Sequence, residues 1–171
     1  MRKIALILAF ISFICLAAGC AGQEQTDYSS MDYYDPEAGF AFNAPEGFTV
    51  DAQDPDGYIY VYATGKAVPY IMIRKYEISS SLDDFKAQLK RSMADTFGNC
   101  FDEEQHNNIG GKKVLVLKFA YRLDDYDILD TRCIYEKGGA FYVFTTKEAA
   151  ALGHNLNAEL DYLMKNFIVI E

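Results

Sequence analysis

The side chains able to do chemistry are few and scattered. Two histidines occur, His106 in a polar Gln-His-Asn-Asn turn region and His154 in the last helical stretch beside Gly153. Neither has a cysteine or carboxylate at ligand spacing, so the pattern calls for no metal centre and no histidine base. Acidic residues gather twice, as Asp51, Asp54 and Asp56 before Gly57 and as Asp124, Asp125, Asp127 and Asp130. Either group could offer oxygens to Ca²⁺, yet neither has the alternating ligands, the glycine and the closing glutamate of an EF-hand loop. Asp54-Pro55-Asp56-Gly57 is accounted for as a turn, with proline fixing φ and glycine free to take positive φ. Ser79, Ser80 and Ser81 lack a Gly-x-Ser-x-Gly elbow or a Ser-x-x-Lys motif. No glycine-rich phosphate loop is present, and no cofactor is expected. A surface hydrolase with a carboxylate pair is the enzymatic alternative, but spacing singles out no two acids.

The tyrosines have a binding character instead. Thirteen tyrosines and no tryptophan is a strong bias, and Tyr58, Tyr60, Tyr62, Tyr70 and Tyr76 fall on two adjacent strand-like runs. If the chain reverses near Lys66, Tyr60 faces Met72 and Tyr62 faces Tyr70 on one side of a sheet. Tyr58, Tyr60, Tyr62 and Tyr70 could then form a platform for a partner protein or a glycan, because tyrosine combines contact area with a polar tip. The more ordinary expectation is that a helix covers this face and the hydroxyls reach its rim.

Charge narrows the partners. The chain carries −9, and loss of Arg2 and Lys3 with a leader would make it −11. Such a surface repels phosphate backbones, which argues against nucleic acid, and it gains nothing from anionic lipid. Half of the residues are hydrophobic, enough to bury a core without metal or disulfide staples.

Membrane attachment has another source. Met1-Arg2-Lys3 is a short basic start, Ile4 to Leu16 is apolar, and Leu16-Ala17-Ala18-Gly19-Cys20 follows. The run is too short for a spanning helix and has the flanks of a cleaved signal. It resembles the bacterial lipobox, with its large aliphatic residue, Leu16, one place earlier than usual. That resemblance implies a signal peptide over 1–19, with Cys20 lipidated as the mature N-terminus and palmitate among its acyl chains. At ~0.8 kcal/mol per buried methylene, two or more chains make a stable anchor. The expected location is the extracytoplasmic face of the cell membrane. Residues 20–32 are polar and read as a tether, holding a domain over 33–171 only ~20 Å away as a coil. Cys15 leaves with the leader. Cys100 and Cys133 are set apart by their strand positions, which argues against a bridge between them.

The elements that must position these residues follow from periodicity. Phe40 and Phe42 mark a short strand, Pro45-Glu46-Gly47 a turn, and Phe48 to Val50 a second strand. Strands are expected over 58–64 and 70–77. Ser81 is a helix cap, Leu82, Phe85, Leu89, Met93 and Phe97 recur at helical spacing, and Gly98 is the stop. A meander follows over 101–109, 113–122, 126–136 and 140–146, turned by Gly110-Gly111, Asp124-Asp125 and Gly138-Gly139. Thr145 to Glu148 reads as a capping box opening a last helix to about Phe167, with Leu152, Leu156, Leu160, Leu163 and Phe167 inward. This order gives an α+β fold, an antiparallel sheet flanked by helices, preceded by the signal-peptide helix.

The local words resemble the PsbP-like and DcrB-type proteins. Gly39-Phe-Ala-Phe followed by Pro45-Glu-Gly-Phe48 is similar to their opening. Ser80-Ser81-Leu82-Asp83-Asp84-Phe85 is similar to their first helix start, Asn108-Ile109-Gly110-Gly111 to their hairpin turn, and Asn166-Phe167-Ile168-Val169-Ile170 to their closing segment. The resemblance implies an α/β/α sandwich over 33–171 and an accessory or binding role without shared catalytic residues. It transfers no functional residue. Together with Cys20, it leads to the expectation of a lipid-anchored, non-enzymatic accessory protein for a membrane-proximal protein partner.

Overall fold

In the computed structural model, residues 27–64, 70–98, 100–149, 151 and 155–170 are described. The signal peptide, Cys20, the reversal at Gly65-Lys66, Leu152 and His154 lie outside them. The chain divides into two units, Met1–Ser30 and Met31–Glu171. The second carries β1 (Tyr33–Asp35), β2 (Phe40–Phe42), β3 (Phe48–Asp51), β4 (Ile59–Ala63), β5 (Tyr70–Glu77) and α1 (Leu82–Phe97). After these come β6 (Phe101–Ile109), β7 (Lys112–Leu123), β8 (Tyr126–Lys137), β9 (Ala140–Ala149), α2 (Asn157–Asn166) and β10 (Ile168–Val169). Seven strands form one antiparallel sheet in the order β3-β4-β5-β9-β8-β7-β6, and β1-β2-β10 form a small second sheet. The α+β arrangement expected from the periodicities is the one observed.

Local chemistry explains the elements. The Ser81 hydroxyl accepts from the Asp84 N–H at 3.2 Å and donates to the Asp84 carboxylate at 2.7 Å, closing the first turn of α1. Gly98, at φ +72°, ends it with its N–H on the Ala94 carbonyl. Phe85, Leu89 and Met93 turn inward as their spacing predicts. The sheet obeys period two: Ile59, Val61, Ile71, Ile73, Val116, Cys133, Tyr142 and Phe144 point into one cluster with Leu156, Leu160, Leu163, Met164 and Phe167 of the α2 region. Leu115, Leu117, Phe119, Tyr121, Ile134, Phe141 and Val143 meet α1 on the other face. Phe167 anchors the first cluster, with ring centroids 5.2 Å from Phe40, 5.1 Å from Tyr142 and 5.0 Å from Phe144. Cys133 belongs to this cluster while Cys100 packs against the other, so no disulfide joins them.

Two expectations need correction. Thr145 to Glu148 is not a capping box. β9 runs on to Ala149, paired with β8 as far as Ile128. β8 pairs with every residue of this stretch and β5 with Thr145 and Thr146, which are β-branched and buried there, so the ladder outcompetes a helix. α2 begins only at Asn157, without a side-chain cap at Leu156. Instead, the Glu148 carboxylate reaches from the end of the strand to accept the Leu156 N–H at 3.3 Å. Leu156, Leu160, Leu163 and Phe167 are nonetheless buried as their spacing requires. His106 is not in a turn; it lies within β6, paired with Leu115.

The β6–β7 turn is where the sheet meets α2. Gly110, at φ +56°, donates its N–H to the Asp161 carboxylate at 2.7 Å. The Lys112 ammonium donates to the Met164 carbonyl near the C-terminus of α2. A Cβ on Gly110 would lie 2.8 Å from the Asp161 carbonyl oxygen and closer still to the Lys165 nitrogen, whereas one on Gly111 meets open space. Gly110→Ala should therefore cost roughly 2–4 kcal/mol, combining left-handed strain with the clash, and Gly111→Ala roughly 1–2. Urea unfolding of the two variants checks this; equal losses would show that α2 does not fix the turn.

Candidate functional site

The tyrosine strands pair as their spacing predicts: Tyr60 faces Met72 and Tyr62 faces Tyr70 across the β4–β5 ladder. These four share a sheet face with Tyr58, Arg74 and Tyr76. α1 lies over β7, β8 and β9 on that face, and Phe85 meets Tyr76 edge-on at 5.1 Å. Tyr58, Tyr60, Tyr62 and Tyr70 are only half-buried and belong to neither buried cluster. The helix thus stops at Tyr76, leaving a shelf in which the Tyr60 ring lies 5.6 Å from Tyr70 and 6.4 Å from Tyr58. Burial raises the Tyr60 phenol pKa, aided by the neighbouring Asp54 carboxylate, and raises that of Tyr70, aided by the Asp130 charge. Phenols are protonated at neutral pH in any case, and burial extends that range upward; the Tyr60 hydroxyl is engaged with Asp54.

Residues that sequence reasoning passed over complete the shelf. Arg74 follows Tyr70 and Met72 in the same alternation. Its guanidinium carbon sits 4.5 Å from the Tyr58 ring centroid and 5.0 Å from that of Tyr76. Beside it, Arg132 binds Asp130 in a fork, Nε to Oδ1 at 2.9 Å and Nη2 to Oδ2 at 3.3 Å. Asp130 is wholly buried, and Arg132 also lies 5.5 Å from the Phe119 ring. Period two placed 130, 132 and 134 on one face; what the sequence concealed is that the two charges satisfy each other.

The acidic groups otherwise serve turns and surface. The Asp51 and Asp54 carboxylates accept backbone N–H groups two residues on, at 3.1 and 2.8 Å. Asp124 and Asp125 form the β7–β8 turn, while Asp130 lies within the β8–β9 ladder. Among the described residues, no three Cys, His, Asp or Glu side chains are grouped to hold a metal ion. Ser81 is the α1 cap.

A second concavity, about 470 Å³, opens on the opposite sheet face beside α2. Gln105, Asn107, Lys118, Thr131, Glu148 and Asn157 line it over Val116 and Cys133. Its size suits a small ligand. Strands β6 to β9 and α2 all contribute, so no stretch of sequence signals it.

No protein-family model and no curated protein sequence matches the chain. Solved structures do. A protein from Bacteroides thetaiotaomicron VPI-5482 is 14% identical with a TM-score of 0.59, covering 81% of this chain and 48% of its own. This chain thus spans about half that protein's length. Cyanobacterial PsbP (CyanoP) from Synechocystis sp. PCC 6803 is 16% identical with a TM-score of 0.57, over 80% of this chain and 90% of its own. The fold is PsbP-like. LpqN, described as involved in cell envelope biogenesis of Mycobacterium tuberculosis, shares the PsbP-like fold at 10% identity and a TM-score of 0.52, over 77% of this chain and 83% of its own. Identities this low establish the fold alone. No helix among the described residues is long and apolar enough to cross a membrane.

Two outcomes test this geometry. Asp130→Leu or Arg132→Met alone should cost roughly 3–5 kcal/mol by stranding a buried charge, while the double variant recovers most of it. Denaturant unfolding of the three variants decides; additive losses would mean that the pair is not coupled. Burial also pushes the Cys133 thiol and the Tyr121 phenol up to about 12, from ordinary values of 9.0 and 10.0. The unfolded chain therefore ionises first, so stability is full below about pH 9 and falls as pH rises toward 12. Cys133→Ala should move the onset of that loss to about pH 10, read as the urea midpoint against pH.

Proposed function

We propose that the chain is exported, held at the extracytoplasmic face of a membrane by lipid on Cys20, and acts there as a non-enzymatic accessory protein. Its partner is a membrane-proximal protein, received on Tyr58, Tyr60, Tyr62 and Tyr70. The observation that carries this reading is the half-exposed shelf beside α1, where aromatic rings and protonated phenols sit on paired strands. Rigid aromatic side chains of this kind dominate recognition surfaces because little rotamer freedom is lost on binding. An envelope role for LpqN, a protein of the same fold, is consistent with the location. The leader and the Leu16-Ala17-Ala18-Gly19-Cys20 word support the anchor.

The hydrolase alternative asks for two carboxylates close together in a cleft. Asp130, the buried acid of the tyrosine face, is instead neutralised by Arg132. Glu148 and Asp161 both line the cleft beside α2, but each carboxylate accepts a backbone N–H, from Leu156 and from Gly110, and so serves to fix α2. A glycan received on the same tyrosines is the second binding alternative, and a glycan array tests it directly.

Cys20→Ser should move the protein from the membrane to the soluble fraction; processing and retention unchanged would remove the anchor. A photo-crosslinking phenylalanine analogue in place of Tyr62 should give one discrete protein adduct in membranes. The same analogue in place of Tyr162, exposed on α2, should give none. Adducts of equal yield from both positions, or none from Tyr62, would defeat the docking surface.

A further inference from the structure

The chain has five arginines, and two of them converge on one slot of the tyrosine shelf, in a protein carrying −9. Tyr58, Met72, Arg74, Tyr76, Arg132 and Thr145 line it, and its volume is about 40 Å³. That space takes a carboxylate group and excludes a whole small molecule, whose pockets run to roughly 300–1,000 Å³.

The two guanidiniums differ in one respect. Arg132 is already matched by the buried Asp130 through two hydrogen bonds. Arg74 forms no ion pair with any described carboxylate, and Asp56 acts on it only through space. Two rings hold the Arg74 guanidinium in place without neutralising it, at 4.5 and 5.0 Å. Cation–π contacts of this kind are worth roughly 0.5–2 kcal/mol, and with the Tyr58 hydroxyl as a neutral acceptor they leave the guanidinium's charge unbalanced and most of its donors open. A half-buried guanidinium, partly desolvated and preorganised, is poised for a bidentate carboxylate.

We infer that Arg74, steadied by Tyr58 and Tyr76 and backed by Arg132, receives an Asp or Glu side chain of the docking protein. The inference rests on the docking surface proposed above and adds the chemistry of its central contact. The surrounding tyrosines then shield that contact from water, as the near-neutral rim of an interface does around its anchor. The acidic exterior elsewhere repels the same partner, so the slot also sets where on the surface it can land.

The test uses the full-length protein in detergent, with nitrogen-15 in its arginine side chains, titrated with hexa-glutamate, hexa-glutamine and inorganic phosphate. Hexa-glutamate should move the Arg74 Nε–Hε resonance and hexa-glutamine should not. Arg74→Gln should weaken hexa-glutamate binding at least about tenfold, the loss of one charge-assisted contact, while Arg74→Lys keeps part of it. Absence of any shift, equal binding to Arg74→Gln, or phosphate binding as tightly as hexa-glutamate would overturn the inference. The Tyr62 crosslink, repeated in Arg74→Gln, separates the two readings. An adduct of unchanged yield would leave the docking surface standing and remove the carboxylate anchor, whereas a yield reduced about tenfold supports it.

Discussion

The rest of the structure follows from a mismatch of areas. Seven strands at ~4.8 Å spacing make a sheet ~29 Å wide, with two faces to cover. A 16-residue helix is ~24 Å long and ~10 Å across, so α1 hides at most roughly a third of its face. The chain places that helix over the long strands β7 to β9, where Leu115, Leu117, Phe119 and Phe141 need burial most. On the other face the 10-residue α2 needs the help of the small β1-β2-β10 sheet, whose Phe40 and Phe42 are almost wholly buried. What neither layer reaches must tolerate water. On the α1 face that remainder is occupied by tyrosines, Met72 and Arg74, and on the α2 face by carboxamides, Lys118, Glu148 and Asp161. Side chains with an apolar body and a polar end suit positions that are neither core nor open surface.

That constraint explains why some of the architecture was readable in advance and some was not. Ser81, Gly98 and the apolar positions between them define α1 by local rules that no distant contact overrides. The β4–β5 register was likewise legible, because period two and a short reversal leave only one pairing that buries Ile59, Val61, Ile71 and Ile73 together. Thr145 to Glu148 misled because a capping box and a strand end share the same residue types. The decision lay with β8, a partner whose length the local sequence does not reveal. Arg74 and the Asp130–Arg132 pair were visible as positions, but not as a site. Their meaning depends on where α1 ends relative to the sheet, which is a tertiary fact. The cleft beside α2, assembled from strands far apart in the chain, left no local trace at all.

Electrostatics on the α1 face separate structure from recognition. Burying Asp130 beside Arg132 removes two charges from water, and their close fork is what makes that tolerable. A structural ion pair of this kind is charge-balanced within itself and adds less to the attraction for a partner than an unbalanced guanidinium does. The exposed pairs of Glu104 with Lys86 and Lys90, which join β6 to α1, contribute little by comparison because water screens them. Arg74 differs from both kinds. It is too enclosed to be fully hydrated, and its neighbours, two rings and the Tyr58 hydroxyl, carry no charge to balance it.

The tyrosine hydroxyls fit the same division. The phenols are neutral at physiological pH, so the shelf presents hydroxyls and aromatic surface, with its unbalanced positive charge on the guanidinium between Tyr58 and Tyr76. A partner received on this face, as proposed, would cost little ordering entropy, because the β4–β5 ladder already fixes the spacing of its side chains. Loops of similar composition would have to be ordered first. The incomplete cover left by α1 therefore has a structural cause in helix length and a physical consequence in preorganisation: the strands least hidden by the helix display their side chains at fixed positions, ready for contact from outside.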